Sequence, residues 1–129
     1  MLNKMARELI DGKNAATVAT INKNGLPQLS VVFVGREDDT LVFSTIEGRL
    51  KTRNMKRDPR VTVLIIAPQN PGKYVEIRGD VELVADPDKV LLKEMYAKYL
   101  GGEPPEAPEE QRLIVRVTPT KVVCFPPVS

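Results

Sequence analysis

Between positions 74 and 84 the chain alternates. Val75, Ile77, Val81 and Leu83 are apolar, and Glu76, Arg78, Asp80 and Glu82 are charged. A helix would scatter these residues around its axis, whereas a strand sorts them onto two faces. So long a strand needs partners along both edges, and Gly79 at its middle predicts a bulge or bend. The rest of the sequence supplies the partners. Segments 15–21, 29–34, 40–46, 60–66, 113–118 and 121–125 read as strands, with Asn24-Gly25 and residues 36–39 as tight turns and Pro119 parting the last two. Segment 60–66 is the most apolar and is expected to be central and buried on both faces.

Three stretches break the strand pattern. Leu2, Met5 and Leu9 predict a helix over 2–11 that stops at Gly12. Residues 49–57 are long, straight side chains followed by Pro59, which predicts a second helix. Asp86-Pro87 opens a third, with Val90, Leu91, Met95 and Tyr99 as its apolar stripe through Leu100. Residues 67–72 and the acidic, proline-rich 103–110 read as loops. About seven strands and three helices, with few crossovers, do not have the rhythm of a parallel sheet. The expected architecture is a small, mostly antiparallel barrel with peripheral helices, forming a single domain over 1–129.

Composition removes several chemistries. The 129 residues contain no histidine and one cysteine, Cys124. Histidine triads and Cys/His zinc sites are excluded, no internal disulfide can form, and no metal site is expected. No acidic pair stands out for acid–base work, so no catalytic side chain is assigned. A cofactor enzyme stays open, because there the cofactor carries the reactive centre. No apolar run spans a membrane and the start lacks a signal-peptide core, so a cytoplasmic protein is expected. The formal net charge of +2 and the few aromatic residues argue against nucleic acid as a partner.

The main chemical signal is the basic block of Arg49, Lys51, Arg53, Lys56, Arg57 and Arg60. It follows Gly48 and two hydroxyl residues, Ser44 and Thr45, at a strand end. A helix start with free N–H groups, cations and hydroxyls at one point describes a phosphate site. The competing reading is a solvated helix face. Tyr74 heads the long strand after Lys73 and fits either ligand contact or packing. Tyr96 and Tyr99 read as packing residues, and Cys124 as an inert thiol.

Three stretches together resemble the pyridoxamine-phosphate-oxidase-like split-barrel superfamily of flavin and deazaflavin proteins. They are Ala16-Thr17-Val18-Ala19-Thr20 with Asn24-Gly25-Leu26-Pro27-Gln28-Leu29-Ser30, then residues 48–60, then Tyr74-Val75-Glu76-Ile77-Arg78-Gly79. The Lys51-Thr52-Arg53-Asn54 and Asp58-Pro59-Arg60 block is the most specific part. The chain looks closest to the small members that use coenzyme F420.

The resemblance implies a mainly-β, antiparallel split β-barrel of the FMN-binding type. It implies a homodimer with cofactor sites between the subunits. Ser30, Val31 and Val32 would line the ring through strand backbone, and Ser44, Thr45 and Ile46 would continue that wall. Arg49, Lys51 and Thr52 would hold the phosphate, and Tyr74 would approach from the partner subunit. Asn54 would brace the helix. The implied activity is an oxidoreductase that uses the deazaflavin F420 to pass a hydride to a small conjugated acceptor. The alternatives are an FMN-dependent oxidoreductase and a non-catalytic flavin carrier. A polyglutamate tail on the deazaflavin would suit Arg53, Lys56, Arg57 or Arg60. The vitamin-B6 oxidases of the superfamily carry a substrate-binding histidine that this chain lacks, which implies a different substrate.

Overall fold

A computed structural model of the chain describes residues 1–127. Its centre is one seven-stranded sheet, every pair antiparallel. The strands are β1 (Ala16–Ile21), β2 (Pro27–Val32), β3 (Gly35–Glu37), β4 (Thr40–Ile46), β5 (Arg60–Ala67), β6 (Asn70–Ala85) and β7 (Arg112–Phe125). Their order across the sheet is β2-β1-β5-β6-β7-β4-β3. The helices are α1 (Lys4–Asp11), α2 (Leu50–Arg57) and α3 (Val90–Leu100).

The expected split barrel is not formed: among the described residues the sheet stays open, with β2 and β3 at its edges and no ladder joining them. Yet β2 ends at Val32 and β3 begins at Gly35. Three residue steps reach roughly 11 Å, while a flat seven-stranded sheet would separate its edges by roughly 29 Å. The sheet is therefore curled, with a seam. Helix α3 keeps the seam open by taking the polar groups of the connection. The Val34 N–H donates to the Tyr99 hydroxyl at 3.2 Å, and the Val34 carbonyl accepts from the Tyr99 hydroxyl at 3.0 Å and the Lys98 ammonium at 2.8 Å. Phe33 stacks on the Tyr99 ring at 4.3 Å. Backbone that would have continued a ladder is satisfied by side chains instead.

The concave face is the core. Val18, Val63, Ile65, Val75, Ile77, Val115 and Val117 point into it, and Leu2, Ala6, Leu9 and Ile10 of α1 are buried with them. The Asn3 side chain caps α1 by accepting from the Ala6 N–H at 2.8 Å. A smaller cluster of Val42, Leu91, Met95 and Tyr99 attaches α3 to β4. The Asp86 carboxylate accepts from the Val90 and Leu91 N–H groups at 3.0 Å each, but α3 begins only at Val90, after Lys89 in left-handed conformation, and not at Asp86-Pro87 as the sequence suggests.

The β6–β7 register shifts between Arg78 and Gly79, but the extra residue is Thr120 of β7, so Gly79 lies opposite a bulge instead of carrying one. Strand β7 runs unbroken through Pro119, which pairs opposite Gly79 just beyond the last β4 partner, Val117. A proline is tolerated there because the strand has only one neighbour. Residues 67–72 are mostly strand, with β5 ending at Ala67 and β6 starting at Asn70.

Strand β5 is central but not covered on both sides. Val61, Val63 and Ile65 are buried while Ile66 is exposed. On the convex face Leu29, Val31, Ile66, Val123 and Phe125 of β2, β5 and β7 lie open, with Glu76 and Arg78 of β6 on the same face. Among the described residues no helix is long and apolar enough to cross a membrane.

Candidate cofactor site

Where the seam opens beside α2, β2 and β4 form a cleft. Its walls are Val31, Val32 and Phe33 on one side and Ser44, Thr45 and Ile46 on the other. Arg49 and Lys51 stand together, with Arg112 from β7 beside them. Leu92, Met95 and Tyr96 of α3 also line the cleft.

Local chemistry explains why α2 begins at this place. Gly48 takes a positive φ of 90°, which lets the chain leave β4 and turn sharply. Arg49 precedes the helix in extended conformation, and no side chain caps it. The first N–H groups of α2 are thus left without intrahelical partners, and its positive dipole end is unopposed. Thr52 is buried and turned inward. Its hydroxyl donates to the Ile46 carbonyl at 2.7 Å and meets the Thr45 hydroxyl at 2.9 Å, tying the helix start to the end of β4.

Asn54 braces α2 as expected, donating to Thr20 Oγ1 at 3.0 Å and to Asn22 Oδ1 at 2.9 Å. Lys51 reaches across to Ser30 Oγ at 3.4 Å. Burial, then the neighbouring Arg49 and Arg112 charges, hold the Lys51 ammonium below its usual pKa. The residues lining the cleft carry three cations and no carboxylate.

The structure therefore splits the basic block. Arg49 and Lys51 face the cleft. Lys56 pairs with Glu47, Arg60 pairs with Asp58, and Arg57 donates to the Ile21 carbonyl and to Asn54. Lys56 and Arg60 already have acidic partners, so the groove expected for a polyglutamate tail is largely neutralised. Arg53 donates to the Gly48 carbonyl.

Of the residues singled out in the sequence, Val31, Val32, Ser44, Thr45, Ile46, Arg49 and Lys51 come together, with Ser30 alongside. Thr52 supports the cleft from behind. Tyr74 does not line it; its ring stacks on Phe125 at 5.6 Å. Sequence reasoning missed Phe33, Leu92, Met95, Tyr96 and Arg112. Tyr96 belongs to the cleft rather than to the packing stripe, and a lone arginine after the acidic loop was the one available signal for Arg112.

An anionic group such as a phosphate fits the clustered cations. Among the described residues, Arg112 Nε is the buried side-chain nitrogen or oxygen that lacks a hydrogen-bond partner. A larger hollow on the convex face includes Arg60 and Arg78, but both already hold carboxylates, Asp58 and Glu76.

Residues 2–124 match the pyridoxamine 5'-phosphate oxidase family. The chain belongs to that family. This family member is 31% identical to a solved structure named F420 reductase, covering 90% of this chain and 94% of that one with a TM-score of 0.83. A conserved hypothetical protein from Mycobacterium tuberculosis is 22% identical over 97% of this chain and 84% of its own, with a TM-score of 0.79. General Stress Protein 26 from Bacillus anthracis is 18% identical over 97% of this chain and 94% of its own, with a TM-score of 0.73. These last two share the fold of this oxidase-family chain.

Proposed function

We propose that the protein is an oxidoreductase that binds the deazaflavin coenzyme F420 and works as a homodimer, with two cofactor sites between the subunits. The observation that carries this reading is the lining of the cleft: clustered cations beside an uncapped helix start, together with apolar strand residues. The 31% identity to an F420 reductase supports the choice of cofactor.

Each residue then has a role. Arg49 and Lys51 hold the phosphate, and Thr52 keeps the helix start in place behind them. The backbone of Ser30, Val31 and Val32 lines one side of the ring, and Ser44, Thr45 and Ile46 line the other wall. When bound, the reduced deazaflavin supplies a hydride for a small conjugated acceptor. Apolar Val31, Val32 and Ile46 keep water from the ring face they cover.

The cleft of one protomer encloses about 210 Å³, less than the roughly 300–1,000 Å³ usual for small-molecule sites. Val31 lines the cleft and is also 68% exposed on the bare convex face. A second subunit laid on that face covers Leu29, Val31 and Ile66 and deepens the cleft at once, with Tyr74 approaching from the partner. A reducing cytoplasmic setting suits the single free thiol, Cys124.

The test is a side-by-side equilibrium titration of the purified protein with F420 and with FMN. The reading expects the deazaflavin to bind more tightly. Tight FMN binding without detectable deazaflavin binding would transfer the protein to the flavin alternative. Binding of F420 without oxidation of its reduced form by any acceptor would make the protein a carrier.

A further inference from the structure

We propose that Arg112 is the third arm of the anion clamp, a phosphate-binding residue that completes the site made by Arg49 and Lys51. The inference rests on the cofactor reading above but makes its own claim about one side chain. Arg112 opens β7 opposite Ile46, the last residue of the β4 wall, and its side chain lines the cleft. That side chain is only 15% exposed. Its fork is poorly used by the protein. Nη1 donates to Ser44 Oγ at 3.4 Å, and Nη2 stands 3.5 Å from a Glu110 carboxylate oxygen, both long contacts for a charged donor. Nε is buried and, among the described residues, has no acceptor.

A guanidinium carries five N–H donors in a rigid plane, and leaving a buried one unpaired is destabilising. Arg112 also stands close enough to Lys51 to disfavour its charged form. Glu110 touches Arg112 from outside the cleft lining, so within the cleft the repulsion between the two cations is offset by an anion that both can reach. A phosphate has oxygens enough for the Arg112 fork, the Lys51 ammonium and the α2 N–H groups together. Ser44 then positions Arg112 by accepting from Nη1. A purely structural arginine would instead direct Nε to a carbonyl or a carboxylate.

Inorganic phosphate and F420 are the probes, titrated separately against the wild type, Arg112→Gln, Arg112→Lys and a control, Lys13→Gln. The control removes one exposed charge away from the cleft. Arg112→Gln is expected to weaken both ligands by about tenfold or more, with a shallower dependence of affinity on salt. Arg112→Lys should recover part of the loss, since it restores the charge but not the fork, and it keeps the claim testable if the glutamine variant folds poorly. Lys13→Gln should bind as the wild type does. Wild-type affinity for both ligands in Arg112→Gln and Arg112→Lys would overturn the assignment. A wild type that binds phosphate but no deazaflavin would count against the cofactor reading instead, with Arg112 still decided by the phosphate titrations.

Discussion

Thr45 and Thr52 meet hydroxyl to hydroxyl at 2.9 Å, both buried, one at the end of a strand and the other in the first turn of a helix. This contact, with the Thr52 bond to the Ile46 carbonyl, holds the uncapped start of α2 against β4. Thr52→Val keeps the shape and removes the donor. The Thr45 hydroxyl loses a buried partner, a loss of about 1–3 kcal/mol. Thermal denaturation should show the lower stability. Cofactor titration should show weaker binding even though Thr52 does not face the cleft.

Lys51 carries the opposite balance of stability and function. Its pKa lies below the ordinary lysine value because of burial and then the charges of Arg49 and Arg112. Between the folded and unfolded pKa values the unfolded chain binds more protons, so this group makes stability rise with pH across that window. Below it, the charged lysine opposes folding. Lys51→Met should therefore leave the cofactor-free protein as stable as the wild type or more so at neutral pH, while cofactor affinity falls roughly ten- to hundredfold. Melting curves and titrations on the same preparation check both halves. In the wild type, phosphate binding should weaken at alkaline pH as Lys51 loses its proton.

The bare convex face makes a prediction about assembly. Ile66 is 45% exposed in one protomer, so Ile66→Glu should cost the single chain little. In the proposed dimer it buries a charge in an apolar interface, which is costly. Sedimentation should report a shift from dimer to monomer, together with weaker cofactor binding. An unchanged dimer would place the interface on another surface.

Gly79 is fixed by close approach rather than by a special φ. A Cβ there would stand 2.4 Å from the Thr118 carbonyl oxygen and 2.8 Å from a Val117 methyl. Gly79→Ala must push β6 from β7 at the bulge, and overpacking of this kind typically costs about 1–3 kcal/mol. Chemical denaturation measures it.

Much of this fold is legible because strand alternation and breakers are local signals. Val75, Ile77, Val81 and Leu83 place β6, Gly48 and Pro59 bracket α2, and Asp86 marks α3. What escaped depends on tertiary partners. Strand β3 is short and polar, and Arg36 in it is held by Asp11 of α1, a contact no local pattern announces. Val90 sits at a stripe position yet is exposed, while Leu92 is buried, because α3 rests on β4 along a slightly different line. Openness of the sheet also escaped, since it depends on Tyr99 and Lys98 capturing the polar groups of Val34. In the site, Arg49 and Lys51 stand out beside Gly48, whereas Arg112 and Tyr96 reach the cleft only through the curl of the sheet. That Glu47 and Asp58 offset two charges of the basic block was legible in the sequence, and the structure pairs them with Lys56 and Arg60.

Hydride transfer itself is the most direct test of the central claim. Reduced F420 carrying deuterium at both positions of its hydride-donating carbon is mixed with the protein and a panel of small enones under anaerobic conditions, and the products are examined by mass spectrometry. The account predicts oxidation of the bound deazaflavin, with one deuterium retained on carbon in the reduced product. Bound deazaflavin that stays reduced with every acceptor, or a product formed without the label, would contradict it.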